Sequence, residues 1–226
     1  MKEKLNEIMK SFKEPFCSEA DFQHSLAWKL HEEIPNANII LEYPWKNENN
    51  ENKMVYYDIY VEVNDQVHLI ELKYRTKKIE IEKYGQKITL KNHSAQDMGC
   101  CHFWLDVQRL ENTKLKCDCN YCIMLTNDKL YFETGPKKGS IYENFSLKEG
   151  RDTSRPEEAE IKIKEKDKER VKKYWPTDGK EIILKNDYKC EWKQCSKMPK
   201  SKNLCSPKQY YEWKYLLLEV TKRKQS

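Results

Sequence analysis

The sequence lacks any apolar run that approaches the length of a membrane-spanning helix, which needs about 20 consecutive apolar residues. Its first segment, Met1 to Lys13, alternates lysine and glutamate with apolar residues and contains no uninterrupted apolar core. We therefore expect no secretory signal. These absences predict a cytoplasmic protein that does not bind a membrane.

The cysteines also lack the pattern of a secreted, disulfide-stabilised protein. There are 9 of them, an odd number, in a chain for which we expect no export signal. Reduced thiols in a cytosol are the expected state, because disulfides persist mainly in oxidising compartments. We expect most of these cysteines to be packing or surface residues.

Charge of one sign is only slightly in excess. Lysine and arginine number 42 against 37 aspartates and glutamates, for a net charge of +5, which permits nucleic-acid binding without requiring it. The hydrophobic fraction is low at 38%, but 12% of the residues are aromatic, so a folded and heavily solvated protein is expected. A length of 226 residues suits one α/β domain, spanning residues 1–226, with an appended insertion.

The first half of the chain predicts a compact series of elements. Ser18 is a suitable N-cap for a helix that runs to about Glu33, with apolar residues at helical spacing. Asn64-Asp65 is a turn signal between two segments rich in Val, Ile and Tyr, which predicts a β-hairpin. The remaining predicted elements are a short strand at Ile39–Leu41 that ends at Tyr43-Pro44, a helix from about Ser94 to Leu110, and a central strand at Tyr121–Thr126.

The second half is less regular. Residues 135–179 are rich in lysine, glutamate, glycine and proline, and the charge run at 162–173 predicts a solvated helix or insertion without chemistry. Ile182–Leu184 and Leu216–Val220 are typical of later strands, so we expect C-terminal strands within about residues 180–221. The expected core is then residues 18–126, in the order helix, three strands, helix, strand.

The hairpin carries the most informative residues of the chain. Asp58 lies in its first strand, and Glu71-Leu72-Lys73 lies in its second. Residues two apart on a strand share a face, so Glu71 and Lys73 point the same way, and Asp58 can lie across the hairpin from them. Removing charges from water costs several kcal/mol unless they are paired or serve a function. One interpretation is a Mg²⁺ site, because Mg²⁺ binds oxygen ligands and the hairpin offers two carboxylates. The alternative is a salt bridge on an exposed hairpin, which would use the same three residues at little cost in free energy.

With these residues in place, the chain resembles the PD-(D/E)XK nuclease superfamily, which has the restriction-endonuclease-like fold. The motif reads Tyr57-Asp58, twelve residues, then Glu71-Leu72-Lys73. The resemblance covers residues 18–126 and implies an α/β fold whose αβββαβ core has a central mixed sheet flanked by helices. Tyr57 replaces the proline that names the motif. The glutamine-and-tyrosine motif of RecB-type exonucleases has no convincing counterpart here, which favours an endonuclease.

The resemblance also implies the site residues and the cofactor. Asp58, Glu71 and the backbone carbonyl of Leu72 are the expected ligands of Mg²⁺, with Mn²⁺ able to substitute, and Lys73 is expected to position a water molecule or act on its proton. Glu19 holds the place of an acid from the first helix that often joins the metal site. It is an expected catalytic residue and a ligand of a second ion, although it equally suits a helix's first turn.

Several other polar residues belong to the expected site. Asp21 or Gln23 could replace Glu19, and Gln23 is also a candidate for substrate binding. Gln96-Asp97 opens the second helix, where superfamily members place polar residues near the scissile phosphate. Asp97 could instead complement the helix N-terminus, and Arg109 could cover the surface of that helix.

The expected function is therefore a Mg²⁺-dependent nuclease, most simply a DNA endonuclease of restriction or anti-invader type. Its expected partner is DNA. It would work as a homodimer if it makes double-strand breaks, and a specificity partner or small-molecule activator is conceivable. The alternatives are a non-catalytic nucleic-acid-binding or interaction module on the same fold, and an RNA-cleaving enzyme.

Two cysteine groups offer rival metal sites. Cys117, Cys119 and Cys122, with Cys100, Cys101 or His102 as a fourth ligand, have the side chains of a zinc site but not the usual paired spacing. Cys17, Cys190, Cys195 and Cys205 could hold an iron–sulfur cluster, but their spacing is wide and no proline-flanked run is present. The sequence disfavours both.

Overall fold

The fold is described by a computed structural model. It covers residues 1–46, 54–83, 85–134, 139–140, 143–159, 161–162, 181–195, 198, 201–203 and 206–221, with backbone alone for residues 134, 201–203 and 206–211. A mixed central sheet lies between helices on its two faces, so the prediction of an α/β fold with a flanked mixed sheet is confirmed.

Six strands of the described residues form the central sheet: β1 (Asn38–Lys46), β2 (Met54–Val63), β3 (Gln66–Arg75), β6 (Asn120–Thr126), β7 (Trp192–Gln194) and β10 (Lys214–Val220). Their order across the sheet is β1-β2-β3-β6-β10-β7. Within this sheet, the β3–β6 pair is parallel and the other neighbouring strands are antiparallel. Strands β3 and β6 are therefore central, and their side chains are covered on both faces.

Three helices cover the two faces of this sheet. Helices α1 (Lys2–Ser11) and α2 (Glu19–Glu33) pack on one face, where Phe22, Leu26 and Leu30 meet Ile70, Leu72 and Ile123. Helix α3 (Gln96–Asn112) packs on the other face with the C-terminal segments, around Trp104, Val107 and Met124. Leu72 belongs to the first core and its neighbours Glu71 and Lys73 face the second, as strand alternation predicts.

The local predictions for helix α2 and for the hairpin are confirmed. The Ser18 side chain accepts a hydrogen bond from the backbone N–H of Asp21 at 3.0 Å and so caps helix α2. Asn64 and Asp65 both adopt positive φ, 49° and 61°, the conformation that a tight two-residue hairpin turn requires. Strand β1 runs past the predicted end at Pro44, because an edge strand tolerates a proline.

Other elements differ from the sequence predictions. Helix α1 was not predicted, and the mixed segment after Arg75 forms a separate hairpin of β4 (Ile79–Lys83) and β5 (Gln86–Leu90). The predicted strand at Ile182–Leu184 is wrong. Among the described residues, Ile182 makes an isolated bridge with Ile161, and Ile183 is 66% exposed.

The described residues also include a π-helical turn (Leu130–Thr134), a 3₁₀ turn (Glu143–Phe145), the short helix α4 (Pro156–Ala159) and a hairpin of β8 (Ser201–Asn203) and β9 (Ser206–Tyr211). Most of the predicted charged insertion, and residues 163–173 of its charge run, lie outside the described residues. Over the part that is described, no helix has the length and apolar character needed to cross a bilayer.

Candidate active site

The site lies where β2 separates from β3. The two strands pair from Val63–Gln66 as far as Ile59–Ile70. Beyond that point, the backbone N–H groups of β3 donate hydrogen bonds to side chains and not to β2. Asp58 Oδ2 accepts a hydrogen bond from the backbone N–H of Leu72 at 2.6 Å, and Glu19 Oε2 accepts one from the backbone N–H of Tyr74 at 2.7 Å. Two carboxylates therefore satisfy the backbone donors that the separation of the strands exposes.

An irregularity in β2 and β1 presents Asp58 to this opening. Tyr57 and Tyr60 both pack on the α3 face although they are three residues apart, so the strand alternation is interrupted at Asp58. Glu42 of β1, which lies between the pairs that flank Asp58, has a positive φ of 50°. Gln23 of α2 bridges this irregularity, because its Nε2 donates to Asp58 O at 2.6 Å and to Glu42 Oε1 at 2.7 Å. Gln23, predicted to bind substrate, is placed here as a support for Asp58.

Glu71 is fully buried and faces helix α3. Its Oε2 lies 2.6 Å from Arg109 Nη2, whereas its Oε1 has no hydrogen-bond partner among the described residues. Burial and the nearby carboxylate of Asp106 raise the pKa of Glu71, against the opposing effect of Arg109. The arginine guanidinium also lies 5.8 Å from the centre of the Tyr57 ring. Arg109 is therefore part of the site, and its interpretation as a cover for the helix surface is wrong.

Lys73 points to the same side as Glu71. Its Nζ forms an ion pair with Asp106 and donates to the carbonyl of Leu72 at 3.1 Å. Burial alone would lower the pKa of Lys73, but the carboxylates of Asp106, Asp58 and Glu71 outweigh it and raise the pKa well above the usual value. Lys73 is therefore an ammonium at neutral pH, a donor and not a proton acceptor.

For Asp58, in contrast to Lys73, burial outweighs the opposite charges nearby, so the neutral form is favoured. Burial raises its pKa from 3.8 to about 6, although Lys73 and the hydrogen bond from Leu72 lower it. The charges of Asp106 and Glu19 raise it further. A cation at this carboxylate would relieve the cost of ionising it.

Helix α3 contributes three residues that were not expected at this site, although His102 was considered as a zinc ligand and Arg109 as a cover for the helix surface. His102, Asp106 and Arg109 follow at intervals of four and three, which places them on one face of the helix. Burial and the positive charges of Lys73 and Arg75 lower the pKa of His102. Asp106 Oδ1 lies 2.9 Å from Arg109 Nη2, so Asp106 contacts both cations of the site. The helical spacing of these polar residues was the available sequence signal.

The other predicted polar residues lie elsewhere. The amide of Gln96 donates to the buried Asp128 at 2.8 Å, where Lys77 Nζ also lies 3.4 Å from the carboxylate. Asp97 lies in the first turn of helix α3 and acts electrostatically on Cys100 and Cys101. No contact among the described residues joins Gln96 or Asp97 to Asp58 or Glu71.

The chemistry of the residues at the opening fits a hard divalent ion. Asp58, Glu71 and the carbonyl of Leu72 offer oxygen donors, and Mg²⁺ is bound in proteins through one or two carboxylates plus waters and phosphate oxygens. The buried Glu71 Oε1 without a partner is a donor of this kind. Among the described residues, no three His, Cys, Asp or Glu side chains are grouped for metal binding, so the fit depends on this mixed set.

The two cysteine groups are not assembled in the part of the chain that is described. Cys122 is buried in the α3-side core, whereas Cys119 packs on the opposite side of the sheet. Cys190 and Cys195 are likewise divided between the two cores, and Cys17 is exposed. Cys205, the other cysteine of the disfavoured iron–sulfur set, lies outside the described residues.

The chain matches no protein-family model, no curated protein and no solved structure.

Proposed function

We propose that this protein is a Mg²⁺-dependent nuclease of the PD-(D/E)XK type, acting on DNA as an endonuclease of restriction or anti-invader type. The observation that supports it is the meeting of Asp58 with the Glu71-Leu72-Lys73 segment where β2 separates from β3. This meeting supports the proposal because it places oxygen donors beside an ammonium, and phosphodiester hydrolysis uses both kinds of group.

Asp58, Glu71 and the Leu72 carbonyl would hold the ion. Bound there, Mg²⁺ supplies positive charge to a phosphate oxygen and lowers the pKa of a coordinated water molecule. Asp58 must be ionised to act as a ligand, and its raised pKa places this requirement near pH 6. Glu19, on the side of β3 where Asp58 lies, is the proposed contributor to a second ion.

Lys73 acts through its charge. Because its pKa is raised, Nζ keeps its protons and donates hydrogen bonds, so it orients the attacking water and stabilises negative charge that develops on the phosphate. The attacking water gives a proton to solvent and its oxygen bonds to phosphorus as the bond to the leaving oxygen breaks. The leaving oxygen takes up a proton from solvent, so the products are one phosphate monoester and one hydroxyl end. The lysine is held for this role by Asp106 and by the Leu72 carbonyl.

Arg109 neutralises Glu71 in the protein without ligand. If a metal cation bound Glu71 in place of Arg109, the guanidinium would be free to bind a phosphate oxygen. Its planar group can donate two parallel hydrogen bonds to a phosphate. The same ion pair favours the second candidate function, a non-catalytic nucleic-acid-binding module, since a carboxylate permanently paired with arginine would bind no metal.

One experiment separates these functions. The pure protein is incubated with plasmid, linear duplex, single-stranded DNA and RNA, with Mg²⁺ or with chelator. Nicking or linearisation of plasmid that requires Mg²⁺ supports the DNA endonuclease, and cleavage of RNA alone identifies an RNA-cleaving enzyme. Binding of nucleic acid without any cleavage supports the non-catalytic module. Linear duplex that shortens only from its ends would contradict the endonuclease.

The oligomeric proposal follows from the number of sites. One site cuts one strand, so a homodimer is proposed if the plasmid is linearised in a single event. Sedimentation of the protein with and without duplex DNA tests this. A protein that linearises plasmid as a monomer would contradict it.

A further inference from the structure

One arginine beside the candidate active site has no charged partner among the described residues. Arg75 is the last residue of β3, and strand alternation places it on the same face as Glu71 and Lys73. The residue is partly buried, yet its guanidinium makes no ion pair or hydrogen bond with the part of the chain that is described. A charge withdrawn from water without a partner is costly, so Arg75 is a candidate for binding an anion.

The acids around this arginine are occupied by other groups. Three buried carboxylates near helix α3 are already paired with other cations, in the pairs Glu71–Arg109, Asp106–Lys73 and Asp128–Lys77. Glu19 accepts its hydrogen bond from the backbone N–H of Tyr74 and forms no ion pair with Arg75. The charge of Arg75 acts on the ionisable side chains of His93, His102 and Tyr131. An imidazole or a phenol carries no negative charge at neutral pH, so none of them cancels the charge of Arg75.

Helix α3 places His102 opposite Arg75. The helix crosses β3 in the antiparallel direction, as shown by the pairs Arg109–Glu71 and Asp106–Lys73. The next step along both elements brings His102, which shares the face of residues 106 and 109, to Arg75. The action of Lys73 and Arg75 on His102 agrees with this register. His102 is partly buried, and neither of its ring nitrogens has a hydrogen-bond partner among the residues that the structure describes.

Arg75 and His102 together offer the chemistry that recognises a phosphate. The planar guanidinium can donate two parallel hydrogen bonds to phosphate oxygens. Burial and the charge of Lys73 lower the pKa of His102 from 6.5, so at neutral pH its imidazole is a neutral donor of one N–H. Arg75 follows Lys73 by two residues, about 6.6 Å along the strand at 3.3 Å per residue. This is close to the distance between neighbouring phosphates of one nucleic-acid strand.

We propose that Arg75, with His102 beside it, binds the phosphate next to the scissile phosphate of the substrate. This proposal rests on the proposed function for its substrate class. Lys73 then faces the scissile phosphate while Arg75 holds the adjacent one, so the two contacts fix the position of the strand along β3. Arg75 is a substrate-binding residue and does not contact the reacting atoms.

Binding is measured without cleavage, in the Asp58→Asn background and in chelator, by fluorescence anisotropy of a short labelled duplex. Arg75→Gln should weaken binding about 10–100-fold at low salt, the loss expected for a charged hydrogen-bonding contact. It should also reduce the slope of log affinity against log salt by about one unit. Arg75→Lys should keep the slope but lose part of the affinity, because it keeps the charge without the planar group.

His102→Ala separates the neutral contact from the charged one. It should weaken binding less than Arg75→Gln does and leave the salt slope unchanged, because a neutral donor neutralises no phosphate. Circular dichroism confirms that each variant is folded. The Tm of Arg75→Gln should match that of its parent, since the guanidinium has no partner to lose among the described residues.

Arg155→Gln is the matched control, with the same substitution at another arginine. Arg155 is exposed and precedes the short helix α4, and its charge acts on Asp152 and Lys189, which lie outside the candidate active site. This variant should leave both the affinity and the salt slope unchanged.

The position of the phosphate is tested with Mg²⁺ and duplexes in which one phosphate near the cleavage site is replaced by a neutral methylphosphonate. Replacement next to the scissile phosphate should lower kcat/KM of the wild type, with no further loss in Arg75→Gln, because that variant has already lost the contact. Equal losses in the two proteins at every position would overturn the proposal.

The binding results stand apart from the cleavage results. Unchanged affinity and salt slope in Arg75→Gln would overturn the proposal whether or not the wild type cuts DNA. Displacement of the duplex by inorganic phosphate at the same concentration as the duplex would identify a site for the free anion instead. A wild-type protein that cuts nothing, with binding that still depends on Arg75, would retain this phosphate contact and refute the nuclease alone.

Discussion

Asp58 Oδ2 accepts a hydrogen bond from the backbone N–H of Leu72 at 2.6 Å, at the position where β2 no longer pairs with β3. Asp58 therefore satisfies a backbone donor and, under the proposed function, would also be a ligand of the ion. An asparagine keeps an oxygen that can accept from Leu72 but loses the charge. An alanine loses both.

The first prediction uses this difference. Asp58→Asn should reduce Mg²⁺-dependent cleavage at least about 100-fold and, at about pH 4, where the folded protein keeps Asp58 protonated, should change the free energy of unfolding by less than about 1 kcal/mol. Asp58→Ala should be equally inactive and should lose a further 1–3 kcal/mol or so, because a buried N–H is left without a partner. Plasmid cleavage and urea unfolding measure the two effects.

Asp65→Asn is the matched control for this pair, because Asp65 lies in the exposed turn of the same hairpin and asparagine tolerates its positive φ of 61°. It should leave cleavage and stability unchanged. Full cleavage by Asp58→Asn would remove Asp58 from the metal site.

The second prediction concerns the role of Lys73 as a donor. Lys73→Met should lower kcat/KM by about 10²–10³, the usual range for removing one donor that stabilises charge developing in the transition state. Because the pKa of Lys73 is raised, its deprotonation should not lower the activity of the wild-type enzyme below about pH 10. The pH profile of kcat/KM measures this, and an activity that required a neutral lysine near pH 8 would contradict it.

The third prediction links Asp58 to stability without metal. The folded protein holds a proton on Asp58 up to about pH 6, whereas the unfolded chain releases it near the usual pKa of 3.8. The folded state therefore binds more protons in this window, so the free energy of unfolding should fall as the pH rises from about 4 to about 6 and stay low above it. Since Asp58 keeps some contact with water, we expect about 1–2 kcal/mol.

Urea unfolding in chelator, compared between the wild type and Asp58→Asn, isolates this contribution, because asparagine does not titrate. The difference in unfolding free energy should change across the window and become constant above it. Addition of Mg²⁺ at neutral pH should recover stability in the wild type alone. A difference that is constant with pH would refute the raised pKa.

The fourth prediction tests the competition for Glu71. Arg109→Met leaves a fully buried carboxylate without its ion-pair partner, which should cost about 3–5 kcal/mol in chelator at neutral pH. Mg²⁺ should raise the Tm of this variant more than that of the wild type, because the ion no longer displaces arginine. Thermal unfolding with and without Mg²⁺ measures both effects.

Lys2→Met is the control for Arg109, because Lys2 forms an exposed ion pair with Glu219 at 3.0 Å and such pairs contribute about 0–1 kcal/mol. Its Tm should respond to Mg²⁺ as the wild type does. An equal Mg²⁺ response in Arg109→Met and the wild type would show that Glu71 is not a ligand.

Local rules were sufficient for much of the core. The Ser18 cap, the Asn64-Asp65 turn and the shared face of Glu71 and Lys73 all depend on residues within a few positions of one another. Local chemistry determines such features because a cap, a tight turn and strand alternation each involve only neighbouring backbone groups. The β4–β5 hairpin is locally encoded as well, by apolar residues that alternate along the chain on each side of Gly85.

The sequence by itself therefore determined the elements of the core and which carboxylates and lysine share a strand face. Only the tertiary structure decided that Arg109 would pair with Glu71 and Asp106 with Lys73, and that β2 would separate from β3 at Asp58. The two ion pairs join residues 33 or more positions apart in the sequence. The separation of β2 from β3 depends on how β1, β2 and α2 pack around Asp58. Their electrostatic energy arises only when the packed layers exclude water, which no local pattern in the sequence records.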